Sequence, residues 1–372
     1  MALTQKGRIA SLFGLVEKEM KKQQLISILL LICMSASSLL FTSCDRRPNK
    51  YVTHSLDYFD TATTITGYET DQDEFDRVSG ELLALLEEYH RLYTIYHRFD
   101  GMENLCTVNE LQDGTHRTVT VDSRIIDMLL YAKDMHRVTN GKLNIAMGSV
   151  LSIWHEYRTA GLDEPWAAEL PPMDQLREAA KHTDINNLII DREHSTVWIA
   201  DPQMTLDVGA IAKGYAVEMV ARSLEERGIS GYVINVGGNV RTVGTKPDGQ
   251  KWLAGIENPD TASDEAYLVY LQLSGESVVT SGSYQRYYTV GNKNYHHIVD
   301  SQTLLPAEGY LSVSVVCKSS AEGDALSTAL FCMPLDEGLA LVESLPDVEA
   351  HWILSDKSEH SSSGFSKYVT QP

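Results

Sequence analysis

Beyond residue 186 the chain becomes a succession of strands that helices do not interrupt at regular intervals. The stretches "NNLIIDREHSTVWIAD" (186–201), "GYVINVGGNVRTVG" (231–244) and "YLSVSVVCK" (310–318) carry the β-branched and aromatic enrichment of strands. "SVVTSGSYQRYYTVGNKNYHHIVD" (277–300) alternates as a hairpin about the turn "GNKN". A doubly wound parallel sheet needs repeated βαβ units, and none is present. Ahead of this region, "YVTHSLDYFDTATTITGYE" (51–69) also reads as strand. Two helices follow. In residues 75–96 the apolar positions Leu82, Leu83, Leu86, Tyr89, Leu92 and Tyr93 recur at a helical period. In residues 122–141, Asp122 or Ser123 serves as the start and Asn140-Gly141 as the stop. Residues 162–174, with three prolines, read as a surface excursion, and the polar residues 357–372 as a frayed tail.

The first 43 residues stand apart. Residues 25–41 are apolar and uncharged, preceded by Met20, Lys21 and Lys22 and followed by Cys44. A basic, then apolar, then small-residue order describes a secretory signal, and an uncleaved membrane anchor is the alternative. "FTSC" is similar to a bacterial lipobox, with Phe41 where Leu is more usual. That similarity implies cleavage before a lipidated Cys44 and an extracytoplasmic (periplasmic), lipid-anchored protein in the cell membrane. Met20 reads as a natural start for that signal. The expected organisation is therefore a signal at 1–43, a polar tether at 44–50, a folded domain at 51–356 and the tail. A net charge of −20 with no Lys/Arg run excludes a nucleic-acid surface. Cys106, Cys317 and Cys332 are too scattered for a zinc or disulfide framework and read as buried thiols.

Several stretches carry chemistry. In "TLDVGAIAKGYAVEMVARSL" (205–224), Gly209 and Gly214 fall at the first turns of a helix, where each costs about 1 kcal/mol relative to alanine. Something must approach that backbone. A free helix start with Lys213 beside it suits a phosphate, and a packed neighbour is the alternative. His296 and His297 are adjacent in a strand, so their side chains are expected to face opposite ways. In "EGDALSTAL" (322–330), Asp324 and Thr328 share a helix face. Spacing alone favours Asp324 as a helix cap, and the same geometry also suits a hard, oxygen-seeking cation.

Taken in order, "DVGAIAKGYA", "VINVGGNVRTVG", "VVTSGSYQRYY", "HHIVD" and "GDALSTAL" resemble the ApbE family of FAD:protein FMN transferases, as do "YHRFDGMENLCTVNE" and "TNGKLNIAMGSVLSIWHEYR". The resemblance runs from about residue 51 to 356. It implies an α+β fold of mixed or antiparallel sheets flanked by helices, in two intertwined subdomains. It implies Mg²⁺ held by Asp324, Thr328 and the Ala210 carbonyl, and flavin-nucleotide contacts at Phe59, Asn144, Ile145, Ala146, Asp207, Lys213, His297 and Ile298. Asn144 and Ala146 depart from the family's usual Asp and Thr. Leu304, in "DSQTL", replaces a usual glycine and leaves the conformation of that turn open. The implied reaction moves FMN from FAD to a threonine, in a D-x-x-[ST]-x-[AT]-[ST] type motif on a redox subunit, and releases AMP. In that implied reaction Lys213 would stabilise phosphate charge, and His297 is the candidate base, with Asp207 second. A Mg²⁺-dependent FAD pyrophosphatase and a non-catalytic FAD-binding lipoprotein are the rival readings.

Overall fold

Two neighbouring strands set the fold: β1 (Asn49–Tyr58) and β2 (Thr61–Glu69) pair as an antiparallel hairpin that opens the main sheet. The structure is a computed structural model that describes residues 47–110, 118–260 and 262–371. The expected signal segment and Cys44 lie outside the described residues. The Phe59-Asp60 turn of the hairpin has φ values of 54° and 51°. This doubly left-handed geometry is usually given to Asn-Gly. The helix α1 (Gln72–Tyr93) is capped by the Asp71 side chain and buries Phe75, Leu82, Leu86 and Tyr89. After α2 (Leu105–Glu110) and β3 (Val119–Thr120), α3 (Ser123–Val138) begins at Asp122 as its cap. It stops where Asn140 and Gly141 turn left-handed. The chain continues through α4 (Gly148–Asp163), α5 (Met173–Ala179), β4 (Leu188–Asp191), β5 (Thr196–Ile199), α6 (Ala212–Glu226), β6 (Tyr232–Val236) and β7 (Asn239–Val243). Then come β8 (Trp252–Glu257), β9 (Tyr267–Leu273), β10 (Ser277–Gly282), β11 (Tyr287–Val290), β12 (Lys293–His296) and β13 (Tyr310–Cys317). The helices α7 (Ser320–Phe331) and α8 (Leu335–Ser344) precede β14 (Glu349–Leu354), β15 (Glu359–Ser361) and β16 (Val369–Thr370).

The main sheet has eight strands in the order β1-β2-β6-β7-β10-β13-β14-β15, and each neighbouring pair is antiparallel. The α+β expectation is met. On this sheet α6 lies over β7, α7 lies over β10 and β13, and the two helices pack against each other. Their contact is where the site forms. Residues Pro48–Pro372 form one compact unit. The polar C-terminal segment, expected to fray, instead pairs β15 with β14 and β16 with β9. Phe365 and Tyr368 explain the difference: both are buried in a hydrophobic cluster with Leu271 and Ile353, and a polar composition hid those two anchors. Residues 162–174 do run over the surface, with Trp166 exposed, and Cys106, Cys317 and Cys332 are free, buried thiols.

Candidate active site

The loop between β5 and α6 is fixed from behind. The Asn109 side chain accepts the Leu206 N–H at 2.8 Å and donates to the Leu206 carbonyl at 2.9 Å. The Asp207 N–H donates to the Ile145 carbonyl at 2.8 Å, and the Asp207 carboxylate accepts the Gly209 N–H at 2.8 Å. Helix α6 starts without a side-chain cap, so its first-turn N–H groups need other partners. Asp324 supplies one by accepting the Gly214 N–H at 2.8 Å.

Gly214 is required by packing. A methyl group there would overlap the Ser320 carbonyl oxygen and the Asp324 Cβ. The close approach that the glycine predicts is therefore made by α7 rather than by a phosphate. Asp324 is not a cap, because Ser319 caps α7 by accepting the Glu322 N–H and Asp324 sits a turn further in. It is 4% exposed, with the Lys213 ammonium 3.4 Å from Oδ1 and 3.5 Å from Oδ2. That ammonium also donates to the Gly209 carbonyl at 3.2 Å. Thr328 follows one turn after Asp324, its hydroxyl 3.3 Å from that of Ser281.

These groups line one cavity of about 580 Å³, within the range of small-molecule sites. In a chain with net charge −20, the wall is balanced: Lys142, Arg158, Lys213 and Arg286 face Asp60, Glu156, Asp207 and Asp324. Such a wall admits an anionic ligand that the rest of the surface would repel. Phe59, Asn144, Ile145, Asp207, Ala210, Lys213, His297, Ile298, Asp324 and Thr328 all line it. Ala146 does not. It is fully buried in the main core, because the Asn144 side chain accepts its N–H and turns the segment into a short 3₁₀ helix over Ile145–Met147.

The histidines also differ from expectation. β12 ends at His296, so the two rings do not alternate across a strand, and both reach the cavity wall. His296 is occupied at both nitrogens, by the Ala307 carbonyl at 2.8 Å and the Ile298 N–H at 3.2 Å. His297 Nδ1 lies 3.3 Å from the Arg286 carbonyl. The surrounding protein, then Arg286 and Arg158, push its pKa down to about 3. Its ring faces the open cavity, where water tempers the first cause and leaves the two guanidinium charges. His297 is thus neutral, with its pKa held below the ordinary histidine value. Burial raises the Asp207 pKa, against the Gly209 N–H and the nearby His155, Arg158 and Lys213.

Arg158 and Arg286 were not singled out from sequence, although both occur in quoted motifs. A pair of guanidinium groups in an acidic chain was the available signal. Arg286 donates to the Asp60 carbonyl at 3.1 Å and Arg158 meets His155 Nδ1 at 2.9 Å. The "DSQTL" turn keeps the left-handed geometry despite its missing glycine: Leu304 has φ 63°. Three contacts hold it there, since Asp300 Oδ1 accepts the Gln302 N–H at 2.6 Å, Asp300 Oδ2 pairs with Lys142 at 2.9 Å, and Trp154 Nε1 donates to the Leu304 carbonyl at 2.9 Å.

An α+β enzyme fold with an anion-accepting cavity at a helix crossing is the class these features define. The chain belongs to the ApbE family, whose sequence model matches residues 59–352. It is 31% identical over 276 residues to a FAD:protein FMN transferase of Klebsiella pneumoniae, covering 72% of this chain and 82% of that one. A FAD:protein FMN transferase of Vibrio cholerae is 26% identical over 348 residues, covering 90% and 98%. The crystal structure of the ApbE protein of Thermotoga maritima shares the fold, with TM-score 0.74 and 24% identity over 87% of this chain and all of that one.

Proposed function

We propose that this chain is a FAD:protein FMN transferase that uses Mg²⁺ to move FMN from FAD onto a threonine of an exported or membrane redox protein, releasing AMP. The observation that carries the reading is the α6–α7 crossing, where Asp324 pairs with Lys213 and the Gly214 N–H, Thr328 follows one turn along α7, and all three side chains line the cavity. The donors there fit Mg²⁺. Asp324 carboxylate, Thr328 hydroxyl and Ala210 carbonyl are all oxygen, and a single carboxylate leaves positions for water and phosphate oxygens. Lys213 is the positive charge that Asp324 holds in this structure, and an ion bound there would share the carboxylate with it. When bound, the ion supplies charge neutralisation on the diphosphate.

The remaining work falls to this chain's own side chains. Lys213 offsets negative charge on the phosphates of FAD. The threonine oxygen forms a bond to the FMN phosphorus, the bond to the AMP oxygen breaks, and the threonine proton passes to a base. The cavity offers two groups for that role, Asp207, whose pKa burial raises, and His297, whose pKa lies below its ordinary value. Lipidation of Cys44 would hold the enzyme at the extracytoplasmic membrane face, where exported acceptors arrive. Intact-mass analysis of membrane-extracted protein should find Cys44 at the N-terminus, and a chain starting at Met1 or Met20 would refute it.

The deciding experiment mixes the protein with FAD, Mg²⁺ and an acceptor bearing the threonine motif, then denatures it and reads in-gel flavin fluorescence with mass. Flavin on the acceptor with AMP in solution is expected. Free FMN with an unlabelled acceptor, while a known transferase labels that same acceptor, would mark a pyrophosphatase. FAD retained without AMP would mark a binding protein.

A further inference from the structure

Behind the crossing lies a buried charge that the reaction does not use. Glu218, on α6 one turn beyond Gly214, is 3% exposed. Its Oε2 accepts the Ser320 N–H at 2.9 Å and Arg241 Nε at 3.1 Å, while Oε1 accepts Arg222 Nε at 2.9 Å. Arg241, on β7 and also buried, further donates to the Gly275 carbonyl at 2.8 Å and to Glu225 at 2.8 Å. Ser320 is the first residue of α7 and Asp324 lies one turn on. Burying a carboxylate and a guanidinium costs desolvation that an apolar pair would avoid, so the arrangement earns its place by geometry. It takes up a first-turn N–H that would otherwise lack a partner. Gly214 lets α7 approach α6, and Glu218 fastens the start of α7 at that distance.

We propose that Glu218, held by Arg241, is a positioning residue for the cation corner: by gripping the Ser320 N–H it keeps Asp324 in register with Lys213 and the Gly214 N–H. This rests on the Mg²⁺ reading given above. The test compares two double variants that both remove the buried ion pair. Glu218→Gln with Arg241→Met keeps an oxygen for the Ser320 N–H, and Glu218→Met with Arg241→Met does not. FAD binding to chelator-treated protein is followed by flavin fluorescence as Mg²⁺ is added, alongside thermal melting. The Met/Met protein should need about tenfold more Mg²⁺ for half-saturation. The Gln/Met protein should behave as wild type, and FAD affinity without Mg²⁺ should be the same in both. Equal Mg²⁺ requirements in the two variants would overturn the clamp. A wild type whose FAD binding ignores Mg²⁺ would instead overturn the cation reading beneath it. If the Met/Met protein does not melt cooperatively, Ser320→Pro carries the same test, because it removes the donor at a first helical position that accepts proline.

Discussion

The two ends of the cavity are built in opposite ways. At the α6–α7 crossing a missing side chain at Gly214 brings two backbones together, and Asp324, Lys213 and the Gly214 N–H satisfy one another with little exposure. At the mouth, Arg286 reaches the Asp60 carbonyl, Arg158 meets His155, and the half-exposed Tyr96 stands beside a turn with two left-handed non-glycine residues. The first end is fixed by main chain and burial, the second by long side chains over a strained turn. On the proposed function, phosphate chemistry would sit on the part that cannot adjust, and ligand capture on the part that can.

If that contrast is right, damage at the crossing should remove rate and damage at the mouth should weaken binding. Asp324→Ala should lower FMN transfer by on the order of 10³-fold. It should also cost about 1–3 kcal/mol, because the Gly214 N–H loses its acceptor. Rate assays and thermal melts check both. Gly214→Ala should follow: helix propensity gains about 1 kcal/mol, but overlap with Ser320 and Asp324 costs about 1–3 kcal/mol and displaces the carboxylate, with a rate loss of about 10²-fold. At the mouth, Arg286→Met should raise KM about tenfold, the scale of one charge-assisted hydrogen bond, with kcat and Tm little changed. A large kcat loss there would erase the contrast.

Smaller effects sharpen the picture. The folded state holds His297 neutral, with its pKa pushed below the ordinary value near 6.5 by the surrounding protein and then by Arg286 and Arg158. Its contribution to stability is therefore full above about 6.5 and lost as pH falls toward the folded value. His297→Gln should flatten that part of the melting profile, and ring NMR should show no protonation near neutrality. The smallest effect is at Leu304, which is mostly buried at 7% exposure. Leu304→Gly relieves about 1 kcal/mol of left-handed strain but forfeits about 2 kcal/mol of apolar burial. A net loss near 1 kcal/mol is expected by denaturant unfolding.

Local signals made much of this legible. Periodicity marked α1 and α3, Asp122 and Gly141 marked the ends of α3, and "GNKN" marked the β11–β12 hairpin. Gly214 announced a close approach, yet spacing within one helix cannot say which distant segment comes near, so α7 remained hidden. The same limit left Arg158 and Arg286 unremarked, because they meet only when α4 and the β11 region converge. Ala146 sits in the core rather than on the cavity wall because the Asn144 cap turns the segment into a 3₁₀ helix, which spacing alone does not announce. The His297 pKa depends on charges brought from two other segments, and Phe365 and Tyr368 were masked by polar neighbours.

The most direct measurement is Mn²⁺ binding, as a stand-in for Mg²⁺, followed by electron paramagnetic resonance with FAD present. The wild type should take up one ion per chain, as one carboxylate corner predicts, and Asp324→Ala should lose it even with FAD supplied at a concentration that saturates the cation-free protein. Equal Mn²⁺ uptake by the two proteins would contradict the assignment of the α6–α7 corner as the cation site.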